Sequence, residues 1–242
     1  MAAFGLHDFC LAVHPGKQYA FVGQNGCGKS TVIKLLTGLY NNHSGRILLN
    51  GRDIKSFSAA ETKAYFAVVY QDYGKYQLSV REELQLGNAD LADPEIAALL
   101  EQTGLAQKVG SLPLGADTPL GKLEPGSADL SEGQWQRLAL ARAFGRQARF
   151  LVLDEPAAAL DALAESRVYR VIRDIGATRC TTTLYVTHRL AAARSADEII
   201  VMKDGRIIEQ GTHAALLAGD SYYAQMFNTQ RKWYLRRQVA EA

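Results

Sequence analysis

Nine residues, Gly23 to Thr31, constrain this chain more than any other stretch: Gly-Gln-Asn-Gly-Cys-Gly-Lys-Ser-Thr. Gly23, Gly26, Gly28, Lys29 and Ser30 fit the pattern G-x-x-x-x-G-K-[S/T] without a gap. The glycines let the backbone curl until its N–H groups point inward, and those donors, with the N-terminus of the following helix, bind phosphate oxygens. Such a loop needs a strand before it and a helix after it. "YAFV" supplies an apolar run on one side, and "STVIKLLTGLY" has helical spacing that stops near Gly38. In this pattern Lys29 reaches the outer phosphates and Ser30 offers its hydroxyl to Mg²⁺. Gln24, Asn25, Cys27 and Thr31 complete the loop as candidate nucleotide contacts. Cys27 has two readings: an inert small residue, or a thiol made acidic by the helix N-terminus and open to modification.

The rest of the chain suits a strand–helix alternation. "RFLVLDEP" and "TTLYVTH" are short apolar runs of the kind that form buried parallel strands. "ADEIIVMKDGRIIEQGT" reads as two strands joined at Asp204-Gly205, and "GRILLNGRDI" as a further β segment. The opening "FCLAVHPGKQYAFVG" alternates, turns at Pro15-Gly16 and is expected to be strand-rich. Residues from about 80 to 147 read mostly as helix: "SVREELQL", "DPEIAALLEQTGL", with Asp93-Pro94 as its N-cap and first turn, and "SEGQWQRLALARAFG". The fold class is therefore α/β, with a helical middle interrupting the core as an inserted subdomain would.

Composition excludes several classes. The chain has 242 residues, 48% of them hydrophobic, which suits a globular domain with a sizeable core. A net charge of +2 does not suggest a protein built to coat nucleic acid. Cys10, Cys27 and Cys180 are scattered and fit neither a disulfide framework nor a zinc spacing, which points to a reducing compartment. The first residues make a poor signal peptide, and no run of about 18 apolar residues predicts a membrane span.

Asp154 and Glu155 sit together at the end of an apolar strand. Two adjacent carboxylates there cost desolvation unless a cation or a reaction needs them. Beside a phosphate loop, Asp154 is expected to help hold Mg²⁺, and Glu155 to orient or activate an attacking water.

"LSEGQWQR", residues 130–137, lies shortly before "LVLDEP". It resembles the L-S-G-G-Q signature of ATP-binding cassette (ABC) proteins. The phosphate loop, Gln71 in "VVYQDY", "AAALD" at 157–161 and "VTHR" at 186–189 follow that family in order and rough spacing. The likeness covers essentially the whole chain. "QDYGKYQLSVREELQLG" and the tail "DGRIIEQGTHAALLAGDSYYAQMF" look like the nucleotide-binding domain of bacterial peptide, lipid or drug exporters.

The resemblance implies one cassette over residues 1–242: a RecA-like P-loop NTPase core, an N-terminal antiparallel β subdomain, and a helical subdomain inserted at about residues 75–145. It implies ATP and Mg²⁺ as cofactors, with Ser30, Gln71 and Asp154 on the metal side. It implies two cassettes meeting head to tail, each P-loop facing the other's Ser131, Glu132, Gly133 and Gln134. Asp161 would connect the two sites, and Gln71 would relay nucleotide state to a membrane domain. His188 would hold the γ-phosphate and position Glu155, so that Glu155, His188, Gln71 and Lys29 form the catalytic set. The expected setting is the cytoplasmic face of a membrane, through a permease partner and without nucleic acid.

Two departures from the family pattern stand out. Glu132 replaces the signature's first glycine. A carboxylate about 5 Å from a phosphate charge costs about 3 kcal/mol at an effective dielectric near 20, whereas one turned into solvent costs little; both readings stay open. Family members also stack the adenine on an aromatic residue farther upstream than this chain extends, and Phe4 is too near the loop for that role. Either ATP binds more weakly, or another chain supplies the ring, or the chain is part of a longer polypeptide with the family's first strand and the membrane-spanning half before residue 1; the last is the favoured expectation, with a free-standing subunit next.

Tyr73, Tyr76 and Leu78 either cover the local core or form a groove for a helix of the membrane domain. Arg231, Lys232, Arg236 and Arg237 either are solvated or lie near acidic lipid headgroups. The leading reading is an export motor that hydrolyses ATP. The alternatives are a soluble ABC ATPase outside transport and a regulatory cassette that holds ATP without cleaving it.

Overall fold

The computed structural model describes residues 5–122 and 126–240, with side chains up to residue 232. Strand β1 (Gln18–Gly23) runs through the phosphate loop into helix α1 (Lys29–Leu36). A hairpin of β2 (Leu48–Leu49) and β3 (Arg52–Asp53) follows, then α2 (Ala59–Tyr65) and β4 (Phe66–Val69). Four helices come next: α3 (Val80–Gln85), α4 (Asp93–Gln102), α5 (Ala106–Gly110) and α6 (Glu132–Gly145). The chain returns to the sheet through β5 (Phe150–Asp154), α7 (Ala162–Arg179), β6 (Thr182–Val186), α8 (Leu190–Ala193), β7 (Glu198–Lys203) and β8 (Arg206–Gly211). Helices α9 (His213–Ala218) and α10 (Tyr222–Ala240) close it.

The sheet order is β4-β5-β6-β1-β7-β8; only the β7–β8 pair is antiparallel. Strands β5 and β6 are buried at every position, which explains their continuous apolar runs. On β1, alternate residues serve opposite faces. Tyr19 and Phe21 join a core with Val32 and Ile33 of α1, while Ala20 and Val22 join the larger core under α3, α4, α6 and α7. The parallel strands therefore end at one edge, where open α/β sheets bind ligands.

The α/β reading holds, with local differences. Residues 5–14 form no strand, although Phe9, Leu11 and Val13 do pack against the core beside Phe21. An alternating pattern sets which side faces the core, but a strand also needs a neighbour's backbone to pair with. His7 instead donates its N–H to Gly205 O. Among the described residues, antiparallel pairing near the N-terminus is confined to β2–β3, turned by Asn50 and Gly51, both with positive φ. The N-cap of α4 is Ala92, not Asp93; Ala92 N–H bonds Glu95 Oε2 and leaves Asp93-Pro94 as the first turn. Helix α2 has no counterpart in the sequence reading, although Ser58 and Glu61 form a capping box at its start.

Candidate active site

All three glycines in Gly23–Thr31 have positive φ: Gly23 (150°), Gly26 (80°) and Gly28 (107°). At Gly23 a Cβ would lie 2.2 Å from Met202 O, so a side chain there would push β1 off β7. Gly28 is the N-cap of α1 in a left-handed conformation. Lys29 is buried, and its Nζ donates to Gly23 O at 2.8 Å and Gln24 O at 3.0 Å. The ammonium thus ties the first residue of α1 back to the start of the loop. Cys27 is also buried, with Sγ 3.8 Å from Lys29 Nζ and packing beside Val32 and Ile33. The inert reading fits that placement: a reagent reaches Cys27 only if the loop opens.

Asp154 ends β5, next to β6 and one strand from β1. It is 5% exposed, and burial pushes its carboxyl above the ordinary range, opposed chiefly by a hydrogen bond from Ser30. Glu155 follows with φ 51°, a strained position for a residue with a side chain. Four bonds hold it. Its N–H donates to Val186 O at 3.0 Å, and its carbonyl accepts from Gln136 Nε2 at 3.0 Å and from Ala158 N–H at 3.2 Å. Its Oε2 lies 3.1 Å from His188 Nδ1. That ring hydrogen bond, more than any other effect, pulls the Glu155 carboxyl below its ordinary value.

One cleft of about 420 Å³ is lined by Asn25, Gly26, Gly28, Lys29, Ser30, Thr31, Gln71, Glu155 and Val186. It gathers the ends of β1, β4, β5 and β6. Among the described residues no cluster of three or more His, Cys, Asp or Glu is placed to hold a metal. A buried carboxylate bonded to a hydroxyl, with an amide on the same cleft, still suits Mg²⁺, which takes one or two protein oxygens and fills its shell with phosphate and water.

The signature residues lie elsewhere. Ser131 is the N-cap of α6, and its N–H is bonded by Gln134 Oε1 at 2.9 Å. At Gly133 a Cβ would lie 2.9 Å from Ala159 O, so a larger residue would lift α6 from the 156–160 turn. Glu132 turns to the segment after Gln71, where Tyr73 Oη donates to its Oε1 at 2.8 Å and Lys75 pairs with Oε2. The hydrogen bond from Lys75, and after it the one from Tyr73, pulls this carboxyl below its ordinary value. Asp161 caps α7, with Oδ1 accepting from Leu163 and Ala164 N–H.

Tyr73 packs against the core, while Tyr76 is 49% exposed and lies against the Arg142 guanidinium. Arg231 and Lys232 are exposed on α10; the Arg236 and Arg237 side chains lie outside the described residues. Gln136 escaped the sequence reading. It is buried, it bonds Glu155 O, and its Oε1 accepts from Ala159 N–H at 3.0 Å. An amide amid the apolar run of α6 was its only visible sign.

A family model described as ABC transporter matches residues 6–158. The mitochondrial iron-sulfur clusters transporter ATM1 of Saccharomyces cerevisiae is 38% identical over 226 residues, which are 93% of this chain and 32% of that protein. The ATP-dependent lipid A-core flippase of Polaromonas sp. is 39% identical over 227 residues, 93% of this chain and 37% of the flippase. The nisin transport ATP-binding protein NisT of Lactococcus lactis is 34% identical over 231 residues, 95% and 38% of the two chains. The solved structure of a bacterial Atm1-family ABC exporter with ATP bound superposes with TM-score 0.85 at 33% identity, covering 93% of this chain and 38% of that one. This chain spans between 32% and 38% of the length of these relatives. No helix among the described residues is long and apolar enough to cross a membrane. A match that takes in the phosphate loop, Gln71, the signature and the strand-end carboxylates shows that the chain belongs to the ABC transporter family.

Proposed function

We propose that this chain is the ATP-hydrolysing cassette of an exporter, one domain over residues 1–242 whose helical part runs from about 75 to 145. One observation carries the reading: Glu155 is held in a strained backbone conformation, hydrogen-bonded to His188, on the wall of the cleft that the phosphate loop lines. A structure that only gripped a nucleotide would not need a carboxylate fixed there against backbone strain.

The loop N–H groups and Lys29 bind the phosphate tail. Ser30 and Asp154, with Gln71, would hold Mg²⁺, whose charge would offset that of the outer phosphates. The depressed carboxyl of Glu155 is ionised at neutral pH but is a weak proton acceptor. Its work is therefore to orient the attacking water and face the charge that develops on it, rather than to hold the proton for long. His188 Nδ1 fixes the direction of that carboxylate, leaving Nε2 as the ring's free polar atom.

A second cassette supplies the opposite wall. Ser131, Glu132, Gly133 and Gln134 at the tip of α6, with Asp161, are the surface it would use; Leu163, beside Asp161, is 86% exposed. The named cargoes of the relatives differ: iron-sulfur clusters, lipid A-core and nisin. What carries over from such a set is transport, not a cargo. The cassette would sit on the cytoplasmic face of a membrane, docked on a permease.

Phosphate release with Mg²⁺ and ATP, measured on the full-length polypeptide or complex that contains this domain, tests the proposal. Glu155→Gln should lower turnover at least about a hundredfold while nucleotide binding persists. Turnover at the parental rate would remove Glu155 from its role, and the hydrolytic reading with it.

A further inference from the structure

His188 stands on a short turn between β6 and α8, and its own surroundings do little to fix it: its side chain is 48% exposed. The turn is held from outside. Thr187 N–H bonds Phe21 O at 3.1 Å, which anchors its first residue to β1. Arg189 pairs with Glu165 of α7, and its N–H bonds Thr187 Oγ1. Two further polar backbone groups go to one side chain on the C-terminal helix. Gln230 Nε2 donates to His188 O at 2.8 Å, and Gln230 Oε1 accepts from Leu190 N–H at 2.8 Å.

We infer that Gln230 is a positioning residue for hydrolysis: α10 clamps the histidine's turn through both ends of one amide, and thereby sets where the imidazole meets Glu155. The chain of contacts is continuous. Gln230 holds the carbonyl of His188 and the N–H of Leu190; the ring between them meets Glu155 Oε2 at 3.1 Å. Only an amide of this length supplies a donor and an acceptor to the two backbone groups at once. Removing it frees a carbonyl and an N–H whose alternative partners do not fix the turn. A loop shift of well under an ångström then misaims the carboxylate that orients water. The phosphate loop, which makes most of the contacts to the phosphate tail, is untouched, so nucleotide affinity changes far less than turnover. A contact between α10 and this turn also gives any partner that displaces α10 a route to the rate of hydrolysis.

The inference rests on the hydrolytic reading above, and the test separates the two. Turnover and ATP affinity are measured on the full-length protein or complex for Gln230→Leu and Gln230→Glu, with Glu155→Gln as reference. Hydrogen exchange is followed at the Leu190 amide. Gln230→Leu should lower kcat about tenfold, leave the ATP KM within about twofold, and speed exchange at Leu190. Gln230→Glu keeps only acceptors while ionised. Once protonated, it again presents one donor and one acceptor. Its rate relative to Gln230→Leu should therefore rise as pH is lowered from 8 to about 5.5. A parental kcat for Gln230→Leu overturns the inference, as does an equal loss of ATP affinity or a pH-independent ratio of the two variants. Should Glu155→Gln turn over normally, the hydrolytic reading fails instead; unchanged Leu190 exchange would still sink the clamp separately.

Discussion

The Glu155 side chain is 16% exposed, and both polar groups of its backbone are bonded to β6 or to Gln136. The Glu132 side chain, at the tip of α6, is 61% exposed and answers to one tyrosine and one lysine on a neighbouring loop. Both carboxyls are held below their ordinary value by a side-chain partner. The partners act in different surroundings, however. Around Glu155 low dielectric strengthens each bond and makes a missing one costly. Around Glu132 water can replace what is removed. The difference is that of a wall bonded throughout within one chain and a tip whose side chain rests mostly in water.

The largest expected effect on that contrast comes from Gln136→Leu. The substitution keeps a similar volume but leaves Ala159 N–H without its partner and strips Glu155 O of its side-chain donor, leaving it the Ala158 N–H at 3.2 Å, in the turn that carries Glu155. Loss of one buried partner costs about 1–3 kcal/mol, readable as a shift of the urea midpoint at constant slope. A loss below about 0.5 kcal/mol would show that the buried side of the site is as replaceable as the exposed one.

His188→Ala probes the same wall more gently and gives it a pH signature. The depressed carboxyl of Glu155 contributes stability that is present above its ordinary value of 4.5 and is lost as pH falls through the lower folded value. The ring's hydrogen bond is the main cause, so the variant lacks most of that contribution. The stability gap between parent and variant should be about 1 kcal/mol near neutrality and close as pH drops below about 4.5. A gap that widens steadily in acid would mean that Glu155 is not held in its ionised form.

Much of this contrast follows from how far each residue's partners lie along the chain. The phosphate loop was legible because its geometry is local: glycines in a run of nine residues set their own backbone. Strands β5 and β6 were legible because a strand covered on both faces must be apolar throughout. Glu155 and His188 were expected as a pair through the family resemblance, and their side chains do meet. The bonds of Gln136, Gln230 and Glu132 were not legible, since they span 19, 42 and 59 residues and no local pattern marks an amide or carboxylate for so distant a partner. The Ser58–Glu61 capping box was a local signal and was readable; the polar stretch around it masked a helix with no buried residue. The coil over residues 5–14 is the opposite case, in which the burial pattern was right and the hydrogen-bond partner absent from any local cue.

The smallest effect tests the exposed side. Lys75→Ala removes the cation from Glu132 but leaves the Tyr73 hydroxyl, and both members of the pair are well solvated, at 41% and 61% exposure. Screening and the entropy of two long side chains leave such a pair with about 0–1 kcal/mol, so the urea midpoint should barely move, and 0.5 M salt should erase the remainder. Turnover in the assembled protein should stay within about twofold, because a carboxylate released into water is screened from the phosphate that a second cassette would bring to the tip of α6. A loss of tenfold or more, recovered in Lys75→Ala/Glu132→Gly, would reverse the contrast. Lys75 would then be what keeps Glu132 away from the phosphate, and the tip of α6 would be as finely set as the wall that holds Glu155.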